Sequence, residues 1–131
     1  MNFNNRAAQE KIIRQVKNSL PKLKVKSGKC RYNYKCQMNA VHEALKNKHS
    51  KIAMCICIDE DRWACIHFIN YHKGKYKDNT LGQWTDTQDY YFVRWIEFKD
   101  FYNVDNIFRE YRKQIQSDLG WWLRLTSNDS F

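Results

Sequence analysis

The stretch Lys51–Ile58, reading K-I-A-M-C-I-C-I, constrains the fold more than any other. It is apolar and β-branched on both faces, the pattern of a strand covered on both sides. Asp59-Glu60-Asp61 is a tight polar turn, and Arg62 to Tyr71 reads as the next strand. One face of that strand carries Trp63, Cys65, His67, Ile69 and Tyr71. His72-Lys73-Gly74 is a hairpin turn in which Gly74 can take a positive φ. Lys75–Thr80 follows as a third strand. Tyr90–Phe98 is a fourth, with Tyr91, Val93 and Trp95 opposite to Phe92, Arg94 and Ile96.

Helical patterns flank these strands. In residues 4–19, Ala8, Ile12, Ile13, Val16 and Leu20 recur at helical spacing, and Pro21 stops the run. Leu23 to Lys26 reads as an extended arm, Ser27-Gly28-Lys29 as a turn, and residues 30–35 as loop. A second helix spans Cys36 to Asn47, with Met38, Val41, Ala44 and Leu45 on one face. A third covers residues 100–118 and carries Phe101, Val104, Ile107, Phe108, Tyr111 and Ile115. The expected fold class is α+β: N-terminal helices on a four-stranded antiparallel sheet, with a C-terminal helix.

A chain of 131 residues with 43% hydrophobic content suits one domain. Its expected parts are a basic helix and arm (1–35), a helix-plus-sheet core (36–98) and a C-terminal helix and tail (99–131). No apolar run reaches the roughly 18 residues of a membrane helix, and the N-terminus lacks a secretory h-region. A cytoplasmic location without membrane attachment is expected. The five cysteines read as reduced thiols.

The net charge of +9 is unevenly placed. Residues 1–35 contain ten Lys and Arg against the single acid Glu10, and the rest of the chain is balanced. Such a segment attracts an anionic partner: an acidic protein or peptide, or nucleic acid or a nucleotide. Lys29, Arg31, Tyr34, Lys35 and Trp84 are the candidate binding residues, combining cations with aromatics that can stack on bases. A binding or inhibitor module is therefore one functional reading.

Catalysis is the other. Cys36 lies at a helix start, where the dipole favours a thiolate, with Arg31 and Lys35 close in sequence. His67 lies among apolar strand residues, a costly place for an imidazole without partners. If Tyr71 pairs with Gly74, His67 lies opposite Asp78; a longer loop puts Asn79 there. Tyr76, Asp78 and Thr80 share one face, while Lys75, Lys77 and Asn79 share the other, wetter one. Asp78 is thus the favoured third residue and Asn79 the fallback. The Cys36 N–H is a natural oxyanion donor, with Asn33, Tyr34 or Gln37 as a second. A zinc site at Cys55, Cys57 and Cys65 is disfavoured by apolar surroundings, so neither metal nor cofactor is expected.

These pieces resemble a family. Cys36-Gln37-Met38-Asn39-Ala40, Ile66-His67-Phe68 and Gly74-Lys75-Tyr76-Lys77-Asp78-Asn79-Thr80 are similar to the transglutaminase-like branch of the papain-like cysteine enzymes. The likeness covers roughly residues 30–82. It implies a helix-plus-antiparallel-sheet core and a Cys–His–Asp triad acting on amides or thioesters. By that resemblance Cys36 is nucleophile, His67 general base and acid, and Asp78 the orienting residue. Gln37 stands where the family often has an aromatic residue, and D-N-T where D-P-T is commoner.

Overall fold

A computed structural model describes residues 3–31, 33 and 35–118. Tyr34 and the tail beyond Asp118 lie outside the described residues. Helix α1 (Phe3–Ser19) buries Ala8, Ile12, Ile13 and Val16, the stripe its spacing dictates. They pack on Ile56, Ile58 and Ala64 of the sheet. Gln9, fully buried on the same helix, docks its amide on one residue of strand backbone. Its Oε1 accepts the Ala64 N–H at 2.8 Å, and its Nε2 faces the Ala64 carbonyl at 3.5 Å.

The expected four-stranded antiparallel sheet is not what forms. Among the described residues the sheet is six-stranded, mixed and barrel-like, nearly closed, in the order β1 (Lys22–Leu23), β6 (Asp89–Ile96), β3 (Lys51–Ile58), β4 (Ala64–His72), β5 (Lys75–Asp78), β2 (Val25–Ser27). The broad α+β class holds. Residues 22–27, expected as an arm, cause the difference. Strand β1 (Lys22–Leu23) pairs antiparallel with β6 (Asp89–Ile96). Strand β2 (Val25–Ser27) pairs parallel with β5 (Lys75–Asp78). Only Lys24 separates β1 from β2, so one continuous segment joins both edges and curls the sheet. Leu23 and Val25 point inward against the residues of the concave face, and the alternating Lys22, Lys24 and Lys26 are exposed.

The central pair is β3 (Lys51–Ile58) and β4 (Ala64–His72), in a register that sets Cys55 opposite His67 and Cys57 opposite Cys65. The turn to β5 lies one residue further along than a Tyr71–Gly74 pairing places it. His72 pairs with Lys75, and Lys73 and Gly74 have φ of 51° and 78°, both positive as a two-residue primed turn requires. Tyr71 therefore pairs with Tyr76, not Gly74. In β6 an extra residue at Val93 shifts the register between Met54 and Cys55. This bulge reverses side-chain parity. Trp95 consequently joins Phe92 on the concave face, stacking with Tyr76 and meeting Tyr71, while Ile96 goes to the outer core. Unbroken alternation had placed Trp95 with Tyr91 and Val93.

Helix α2 (Cys36–Lys46) crosses the outer face, and α3 (Val104–Asp118) packs beside it through Val104, Ile107, Phe108 and Tyr111. The buried stripe of α2 is Cys36, Asn39, Ala40 and Ala44. Met38 and Leu45, expected in the core, are 61% and 44% exposed. The helix is rotated because Cys36 and the polar Asn39 both have partners inside.

Close packing at Gly28 locks the β2 end onto β5. Its N–H donates to the Asp78 carbonyl at 2.8 Å, and a Cβ there would stand 2.2 Å from Asn79 Oδ1. Gly28→Ala is expected to cost ~1–3 kcal/mol by overpacking. Gly74→Ala, where a Cβ meets nothing within 4 Å, costs only the about 1 kcal/mol of a left-handed backbone. Urea unfolding of the two variants checks this order.

Candidate active site

The site begins with Asp78, the last residue of β5, which has no exposed surface. An ionised carboxylate buried so completely requires several donors. Its Oδ1 accepts the backbone N–H groups of Thr80 at 2.8 Å and Leu81 at 3.0 Å. This is a local Asx-turn, in which an Asp side chain accepts the backbone N–H two residues on. Its Oδ2 lies 2.7 Å from His67 Nε2 and also accepts the Tyr90 hydroxyl. Tyr90 lies on β6, three strand positions from β5, a separation of about 14 Å on a flat sheet. Its direct hydrogen bond to Asp78 is possible only because the sheet curls.

His67 projects from β4 into the same interior and is 5% exposed. With Ile69 opposite Asp78 by the observed register, His67 meets the carboxylate diagonally along the face. With Nε2 taken by Asp78, Nδ1 is the ring nitrogen left to face the neighbouring Cys36. Burial acts most strongly on this imidazole and opposes its charge. The hydrogen bond to Asp78 and the favourable influence of Asp78 and the neighbouring Cys36 together outweigh it and hold His67 well above its ordinary range. Burial likewise pushes Asp78 up, but His67, Tyr90 and the Leu81 N–H bring it down to about 2. The pair is therefore ionic near neutral pH, imidazolium against carboxylate.

Cys36 is 8% exposed at the first position of α2. Its Sγ donates to Gln37 Oε1 at 3.2 Å, so the Gln37 amide covers the sulfur. Lys35, the residue before the helix, contributes no side-chain cap, which leaves the first-turn N–H groups without one. Two further residues fix this helix end. Asn39 Nδ2 donates to Thr80 Oγ1 at 2.9 Å and to Asn33 Oδ1 at 3.1 Å. Asn33 Oδ1 also accepts the Lys35 N–H at 3.1 Å. Asn39 thus ties the cysteine helix to the loop after Asp78.

The expected residues divide accordingly. Cys36, His67 and Asp78 come together, with Gln37 on the sulfur. Asn79, the fallback third residue, does not orient His67. Its Oδ1 accepts the Lys29 N–H at 3.1 Å and its Nδ2 donates to Asn70 at 2.9 Å, on the other side of β5. Asn33 acts on the helix end and not on the sulfur. Of the binding residues, Lys29 lies 4.0 Å from Glu43, Lys35 is exposed, and the Arg31 N–H donates to the Thr80 carbonyl. Trp84, 42% exposed, lies on a short 3-10 helix (Gly82–Thr87). Tyr90, Asn39 and Thr80 went unrecognised as site residues. Asn39 did carry a signal, since it interrupts the stripe between Cys36 and Ala40.

Cys57 and Cys65 face each other across β3 and β4; the Cys57 Sγ donates to Gln88 Oε1 at 3.3 Å, and the proximity of the two sulfurs raises the buried Cys57 thiol and lowers Cys65. Among the described residues no group of three or more His, Cys, Asp or Glu side chains is placed to hold a metal ion. Nor is any described helix long and apolar enough to cross a membrane. An apolar groove of about 560 Å³, lined by Leu45, Trp95, Phe98 and Phe101, lies at the far end of α2 from Cys36.

Stability should track the ion pair. Asp78's contribution is present above its unfolded value near 3.8 and disappears as pH falls through about 2. His67's contribution is complete below 6.5 and is lost as pH rises through its raised folded value. Thermal melts across pH should therefore be highest between about 4 and 6.5, with Tyr90→Phe lowering the plateau by ~1–2 kcal/mol. No protein-family model matches the chain, and no curated protein or solved structure does either. The reading of the site rests on its geometry and chemistry.

Proposed function

We propose that the chain is a cysteine-dependent hydrolase or acyl transferase acting on an amide or acyl bond. The supporting observation is the position of His67, beside Cys36 and hydrogen-bonded through Nε2 to a buried carboxylate. An imidazolium held this way stabilises a neighbouring thiolate and is fixed in the orientation needed to pass a proton. The thiolate of Cys36 attacks the carbonyl carbon, forming a C–S bond, and the oxyanion is received by the Cys36 N–H at the uncapped start of α2. His67 then gives its proton to the leaving group as that bond breaks, leaving a thioester. Water, or an acceptor amine, attacks the thioester while His67 takes its proton, and Cys36 is released. Asp78 keeps the ring oriented throughout, and Tyr90 holds Asp78. The resemblance to papain-like and transglutaminase-like enzymes assigns the same three roles.

The basic N-terminal third suits an acidic protein or peptide substrate. Five free thiols suit a reducing compartment such as the cytoplasm. Gln37 covers the sulfur, so substrate entry requires its amide to swing away. The near-complete burial of Cys36 and His67 favours one second reading, in which the trio is a structural lock in a non-catalytic binding module.

Alkylation by iodoacetamide separates the two, with the exposed Cys30 as internal reference. Under the catalytic reading Cys36 is alkylated faster than Cys30 despite its burial. His67→Ala should slow Cys36 by about tenfold or more and leave Cys30 unchanged. Equal or slower labelling of Cys36, insensitive to His67, would establish the structural lock instead.

A further inference from the structure

On the outer side of β5, back to back with Asp78, a cavity of about 310 Å³ opens between α2, the end of β4 and the Gly28–Lys29 turn. Lys75 and Lys77 reach it from alternate positions of β5, and Lys29 from the facing turn. Glu43 is the one acid lining it, and its ion pair with Lys29 is long, at 4.0 Å. Lys75 and Lys77 have no ion pair among the described residues. The lining thus carries an excess of two positive charges, with His72 beside them.

A second observation is independent of charge. Ser50 lines the same cavity, is 8% exposed, and its hydroxyl has no hydrogen-bond partner among the described residues. The Nδ1 atom of His72 is likewise buried and unpartnered. Groups of this kind are costly to leave unbonded unless a ligand completes them. By contrast Asn70 and Asn79, which form the floor, are satisfied by each other and by backbone, so the floor is fixed in advance.

We propose that this cavity is a binding site for a dianionic phosphate monoester, held by Lys29, Lys75 and Lys77 with the Ser50 hydroxyl donating to a phosphate oxygen. The excess of two charges matches a monoester near neutral pH. Lysines bind phosphate as point charges. The volume admits the phosphate and a small organic group. The site does not depend on the chemistry of Cys36.

Isothermal titration with phenyl phosphate, inorganic phosphate and dimethyl phosphate at constant ionic strength tests the assignment. Circular dichroism checks the fold of each variant. Phenyl phosphate should bind saturably, and dimethyl phosphate, a monoanionic diester, at least about tenfold more weakly. Lys77→Gln should weaken phenyl phosphate about tenfold and Ser50→Ala about threefold or more. Cys36→Ala and the distant Lys11→Gln should leave it unchanged. Absence of phenyl phosphate binding, equal affinity for the diester, or indifference to both Lys77→Gln and Ser50→Ala would overturn the proposal. Strong binding of a single-stranded oligonucleotide in place of the monoester would overturn it in favour of a polyanion surface.

Discussion

The buried carboxylate of Asp78 is the constraint on which the rest of the structure depends. It accepts from His67, Tyr90, Thr80 and Leu81, and its own carbonyl accepts from Gly28. These five bonds draw in four elements: β4, β6, the loop after β5, and the turn after β2. A flat sheet could not satisfy this residue, because Tyr90 would be three strands away. Closure by residues 22–27 and satisfaction of Asp78 are two sides of one arrangement. Removing the carboxylate leaves several buried donors without an acceptor, a larger loss than any single hydrogen bond.

The charge separation it maintains is chemically directional. Asp78 is held ionised and His67 protonated, so the ring presents a fixed positive charge towards Cys36. A structural salt bridge would need no thiol beside it, and a core cysteine would need no imidazolium. Their combination at the uncapped start of α2 is what gives the site chemical potential. The same strand then presents two opposite environments. Its inner positions, Tyr76 and Asp78, face the barrel interior, and its outer positions, Lys75 and Lys77, face a basic cavity.

Much of the site was legible because face parity is robust to small errors of register. The assumed pairing of Tyr71 with Gly74 differs from the observed pairing with Tyr76 by two residues. A shift of two preserves the face, so Asp78 still points towards His67, diagonally rather than directly. A shift of one does not, which is why the bulge at Val93 moved Trp95 to the other side. The fold was less legible. Leu23 and Val25 alternate over too few residues to declare a strand, and their partners β6 and β5 lie some fifty residues or more away. On α2, apolarity alone favoured Met38 and Leu45 over Asn39. The buried position of Asn39 depends on Thr80 and Asn33, which no helical periodicity reveals.

The titration of the His67 ring, followed by heteronuclear NMR, tests the central claim most directly. The expected ring remains protonated through neutral pH and loses its proton only well above its ordinary value of 6.5. A His67 ring that titrates at or below 6.5 in the unmodified protein would contradict the imidazolium–carboxylate pair and the thiol activation derived from it.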